Sequence, residues 1–132
     1  MGMLDSVPAV RRIDSDRPDL QAFDIVGHVS TSDIENLFGL LEAAYALHPR
    51  NDVLIRLIDI EGVDWAEADP ATIKQGKADA RRHVRRCAIV GKAAAILAAH
   101  GALFLDADPV EVRQFPPDKE DAAWAWLGTA TL

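Results

Sequence analysis

Residues 53–60 read VLIRLIDI, apolar at every position except Arg56 and Asp59. A strand with one wet face alternates apolar and polar side chains, whereas a strand covered on both faces does not. This segment therefore belongs at the centre of a sheet that carries layers on both sides. Its neighbours decide what the layers are.

Upstream, Ile34, Leu37, Phe38, Leu41, Ala44 and Tyr45 recur at helical spacing, behind a capping box read as Ser32 with Glu35, until His48-Pro49 stops the run. Before that helix, PAVRRID (8–14) and LQAFDIVGHV (20–29) flank the turn signal Asp16-Arg17-Pro18-Asp19 and predict an opening hairpin. Downstream, the loop EGVDWAEADP leads into a helix over about 70–83, then to RCAIVG, a second strand with the two-sided apolar character of the first. An Ala-rich helix follows, with Ile96, Leu97, His100, Leu103 and Phe104 on one side. VEVRQF makes a last strand, Pro116-Pro117 turns the chain, and Asp118 is placed to cap a final helix. The order ββαβαβαβα predicts an α/β fold in a single domain with a mainly parallel sheet. In the final helix, steps of about 100° per residue group Ala123, Trp126 and Leu127, which makes Trp126 a core anchor and leaves Trp124 at the margin of the core.

The chain has 132 residues, a net charge of −7 and one cysteine, Cys87. One thiol excludes an internal disulfide and a sulfur-rich zinc site, and fits a reducing cytoplasm. Its setting, RCAIV, predicts a buried, inert thiol. No run approaches the roughly 18 apolar residues of a membrane span. The acidic balance argues against nucleic acid as a partner, since that affinity rests on bases displacing counterions. Charge is nonetheless polarised along the chain. Asp59, Glu61, Asp64, Glu67 and Asp69 follow the central strand without a base among them, while Lys74, Lys77, Arg81, Arg82, Arg85 and Arg86 follow against Asp79 alone.

RCAIVG, VEVRQF, the closing helix with Ala123, Trp126 and Leu127, the first amphipathic helix after GHVSTSD, and VLIRLIDIEG with Trp65 behind it together resemble the SpoIIAA-like family over residues 20–128. Residues 1–19 then form an N-terminal segment with the hairpin's first strand, and 129–132 a tail. The resemblance implies a STAS-like or CRAL-TRIO-like (βα) superhelix. It also implies a non-enzymatic role, carrying a nonpolar, lipid-like ligand or associating peripherally with a membrane. Anti-sigma-factor antagonists carry a phosphorylatable serine after the central strand. Here Glu61 to Thr72 holds no serine and Thr72 is the lone hydroxyl, so an alternative role as a regulatory protein-interaction domain would have to work without that phosphorylation.

No reactive constellation competes with a binding role. Gly91-Lys92 follows a strand, but Arg86 stands where a phosphate loop needs its first glycine and Ala93 replaces the metal-binding hydroxyl. The five carboxylates do not have calcium-loop spacing. No histidine has a nucleophile at triad spacing. No catalytic residue, metal or cofactor is assigned, and His100 is expected as a neutral, hydrogen-bonded imidazole. The residues expected to border a hydrophobic groove, between the 70–83 helix and the 92–104 helix, are Trp65, Ile73, Ile96, His100, Phe104 and Trp124. Lys74, Lys77, Arg81, Arg82 and Arg85 are the candidates for an anionic headgroup or acidic partner, although bases near a helix C-terminus also complement its dipole. Gly76 lowers helix propensity by roughly 1 kcal/mol relative to alanine and predicts a mobile helix. A homodimer through an edge strand or a shifted terminal segment is a further expectation.

Overall fold

A computed structural model describes residues 9–63, 69–99 and 110–128. Five strands, β1 (Val10–Ile13), β2 (Leu20–Val29), β3 (Asn51–Val63), β4 (Val84–Val90) and β5 (Glu111–Phe115), form one sheet in sequence order. β1 is antiparallel to β2, and every later pairing is parallel. Because each crossover steps to the next strand on the same side, and crossovers are right-handed, all three crossover helices fall on one face of the sheet. These are α1 (Thr31–Leu47), α2 (Pro70–His83) and α3 (Ala93–Ala99). A 3₁₀ turn (Pro117–Lys119) then leads into α4 (Glu120–Trp126), which crosses to the other face.

The strand alternation divides the core accordingly. Val53, Ile55 and Leu57 of β3, with Cys87 and Ile89 of β4, meet Ile34, Leu37, Leu41 and Tyr45 of α1, Ala80 of α2 and Ile96 of α3. On the second face, Leu54, Ala88, Val90 and Phe115 meet Ala123, Trp124 and Leu127. The expected two-sided burial of β3 holds from Val53 to Leu57, with Arg56 half-buried, and ends at Ile58, which is 36% exposed.

Three local readings need correction. The capping box of α1 is Ser30 with Asp33, not Ser32 with Glu35: Ser30 Oγ accepts from the Asp33 N–H, and Asp33 Oδ2 accepts from the Ser30 N–H. Asp33 also accepts from the Ala9 N–H at 3.3 Å, which ties the helix start to the opening strand. Asp118 caps nothing, since it lies inside the 3₁₀ turn and Lys119 precedes α4 without a side-chain cap.

The tryptophans exchange roles. Trp124 is 2% exposed and Trp126 only half-buried. The stripe that faces the sheet is Glu120, Ala123, Trp124 and Leu127, spaced i, i+3, i+4, i+7. Glu120 belongs to it because its carboxylate accepts from Arg56 Nη1 and from Trp124 Nε1, both at 2.9 Å. Trp126 lies to the side, tilted against Phe115, with the Arg86 and Arg113 guanidinium groups 5.4 and 5.9 Å from its ring centroid.

Gly76 is buried in α2 where the helix meets α1: a Cβ there would lie 2.7 Å from the Phe38 ring. Its lack of a side chain serves helix–helix contact.

Candidate functional site

The two ends of the parallel sheet differ in chemistry. At the N-terminal ends of β2 to β4 the surface is crossed by ion pairs and hydrogen bonds, beside a largely polar recess of about 520 Å³ at the β1–β2 turn that Arg12, Arg17 and Leu20 help to line. Arg17 donates to Asp52 Oδ2 at 2.8 Å and to the Leu127 carbonyl at 2.6 Å, and Arg85 donates to Asp19 Oδ2 at 2.9 Å. Arg17, as the leading partner, holds the Asp19 carboxyl below its usual range. Beneath them, the Gln21 amide donates to the Pro18 carbonyl and to Asn51 Oδ1, and Asn51 donates to the His48 carbonyl at 2.6 Å.

At the C-terminal ends the strand pairing itself is interrupted. Up to Val26 and Ile58 the β2–β3 register is regular, and it resumes at His28 and Gly62, so Gly27 alone faces Asp59, Ile60 and Glu61. The bulge puts Gly27 at φ 76° and Asp59 at φ 48°. Left-handed backbone is routine for glycine but uncommon for a residue with a Cβ, aspartate being among the better tolerated. Bulges of this kind re-aim side chains and end pairing beside functional sites.

Next to the bulge lies a recess of about 310 Å³ lined by Leu57, Ile58, Asp59, Ile60, Lys92, Ala94, Ala95 and Pro117. It sits where open α/β sheets take their ligands, outside the carboxyl ends of the strands. Its walls are aliphatic, and Lys92 and Asp59 bring one charge of each sign. Gly91 is close-packed: its Cβ position is 3.0 Å from Leu57 Cβ, so this glycine admits a neighbouring side chain.

The sequence-predicted residues fall in several places. Trp65, His100, Leu103 and Phe104, and the side chain of Leu97, lie outside the described residues. Ile73 is half-buried and Ile96 buried, both packed into the first-face core. Trp124 packs from α4 onto the opposite face of the sheet, so it does not share a groove with them. On α2, Lys74, Arg81 and Arg82 are exposed and Lys77 is half-buried. Arg81 and Arg82, with His83, occupy the last turn, where positive charge complements the helix dipole. Arg85 has left the helix for β4, where it pairs with Asp19 and Asp52. His83 stacks on Tyr45 with ring centroids 4.8 Å apart and approaches the Pro49 carbonyl at 2.9 Å.

Among the acids, Asp69 is the N-cap of α2 and accepts from the Ala71 N–H, while Asp64 and Glu67 lie outside the described residues. Among the described residues no group of three or more His, Cys, Asp or Glu could hold a metal ion. Nor is any described helix long and apolar enough to cross a membrane. Cys87 is fully buried, and burial raises the pKa of its thiol. The recess residues Leu57, Ile58, Lys92 and Pro117 were not singled out from sequence as groove candidates. The available signal was positional: they gather where the central strand and its neighbour end.

Residues 20–128 match the SpoIIAA-like family model, and the chain belongs to that family. Among solved structures it is similar to an uncharacterized protein of the DUF3478 family with a SpoIIAA-like fold from Shewanella loihica PV-4. The two are 26% identical with a TM-score of 0.64, over 96% of this chain and 99% of the other. No curated protein matches the chain.

Proposed function

We propose that this protein is a non-enzymatic binding module that holds a nonpolar, lipid-like molecule in the recess at the C-terminal end of β3. The observation that carries the reading is the aliphatic lining of that recess, with Ile58 exposed beside the left-handed Asp59 of the bulge. One exposed aliphatic side chain would mean little, but Ile58 is continuous with Leu57, Ile60, Ala94 and Ala95 around the recess, and a contiguous apolar lining of this kind marks a binding groove. The exposed Lys74, near the start of α2, belongs to the same proposal as a contact for an anionic membrane surface, worth about 1 kcal/mol near such a surface and weakened by salt, whereas Arg81 and Arg82 end the helix beside the start of β4, at the other end of the sheet.

Calorimetric titration with saturated fatty acids of increasing length tests the reading. Each methylene that leaves water contributes about 0.8 kcal/mol, so affinity rises roughly fourfold per added carbon until the recess is full. Ile58→Asp abolishes the trend, and Trp65→Ala, two positions beyond the end of β3, weakens binding. Absence both of heat and of any ligand-induced rise in melting temperature across the series would remove the reading. Recovery of one stable protein partner, with no small molecule in the native mass spectrum, would replace it with that of a regulatory interaction domain.

A further inference from the structure

Resting on the recess as a ligand site, we infer that its ligand is a zwitterionic amphiphile, with Lys92 receiving the anionic group and Asp59 the cationic group of one head while the tail lies along Leu57, Ile58, Ile60 and Ala95. Three observations converge. Lys92 and Asp59 line the same recess and are both exposed, yet neither makes an ion pair with a described residue. The contrast with the other end of the sheet is direct, since Arg17 and Arg85 there are both paired with Asp19 and Asp52.

Asp59 is also held by backbone rather than by a partner. It sits in the bulge at φ 48°, so its position is set by the register shift and no described side chain engages its carboxylate. Lys92 is set by the close packing of Gly91 on Leu57, which brings the start of α3 down against β3. Two opposite charges, anchored separately on the rim of an aliphatic recess, match a ligand that presents both signs above a hydrocarbon tail. A head with one sign satisfies one rim group and is repelled by the other.

Four probes with the same octyl tail decide the matter: octylphosphocholine, octanoate, octyltrimethylammonium and octyl glucoside, each titrated below its micellar concentration. The zwitterion should bind roughly threefold more tightly than any of the others, an advantage that shrinks as salt is added. Lys92→Gln should move the preference to the trimethylammonium probe, and Lys92→Arg should restore the original order. Asp59→Asn, which keeps the side-chain size and tolerates left-handed backbone, should move it to octanoate. Unchanged melting temperatures exclude misfolding, since both positions are exposed. Equal affinity for all four heads would overturn this inference and leave the nonpolar reading intact. Binding of none of them would overturn both.

Discussion

Replacing Gly76 by alanine sets two effects of known sign against each other. Alanine in a helix interior is favoured over glycine by about 1 kcal/mol. Here, however, the added methyl group would stand 2.7 to 2.8 Å from three atoms of the Phe38 ring, closer than side chains pack. Overfilling a packed contact costs about 1–3 kcal/mol. The clash therefore cancels or outweighs the helix gain, and Gly76→Ala leaves the protein between neutral and about 2 kcal/mol less stable. In a Phe38→Ala background the ring is gone and the helix gain stands alone, so the same substitution stabilises by about 1 kcal/mol. The sign changes, and the double-mutant coupling is about 1–3 kcal/mol. Urea denaturation of the four proteins, with unchanged m-values, reads it directly. If Gly76→Ala stabilised the protein equally in both backgrounds, α2 would not be seated on Phe38 as described.

Three further outcomes follow from the packing. Trp124→Ala should cost about 3–5 kcal/mol in chemical denaturation, and Trp126→Ala markedly less, because the first is sealed between α4 and the sheet and the second lies half-open beneath two arginines. Tyr45→Phe should leave stability unchanged or raise it by about 1 kcal/mol, since the buried hydroxyl finds no hydrogen-bond partner among the described residues and its loss relieves desolvation. Asp19 has a folded-state pKa lowered chiefly by Arg17, so its contribution is present above the unfolded value near 3.8 and is lost as pH falls through the folded value. Asp19→Asn should flatten the acid limb of the stability–pH curve measured by thermal melts, and an unaltered limb would refute the pairing.

The sheet was legible because burial on both faces writes itself as continuous apolar runs, and β3 and β4 carry such runs. Helix boundaries were legible where a proline or a capping acid fixes them, as Asp69 and Pro70 do for α2. The final helix was misread for a definite reason. Periodicity assigns the buried stripe by hydrophobicity, and Glu120 is a carboxylate on that stripe whose partner, Arg56, is 64 residues away. No local pattern reports a partner at that distance. Gly76 was half legible in the same way, because glycine lowers helix propensity whatever it touches, while its contact with Phe38 arises only when two helices meet. The recess escaped because a bulge breaks the period on which strand reading depends. Once one strand carries extra residues, alternation no longer states which side chains share a face.

The strand order has a consequence for how the chain is made. Every crossover helix shelters one side of the sheet, so Leu54, Ala88, Val90 and Phe115 on the other side wait for residues 120–127. During synthesis from the N-terminus that oily flank therefore stays bare, and Arg56 without Glu120, until residues 120–127 have followed. That interval is when a chaperone has most to hold.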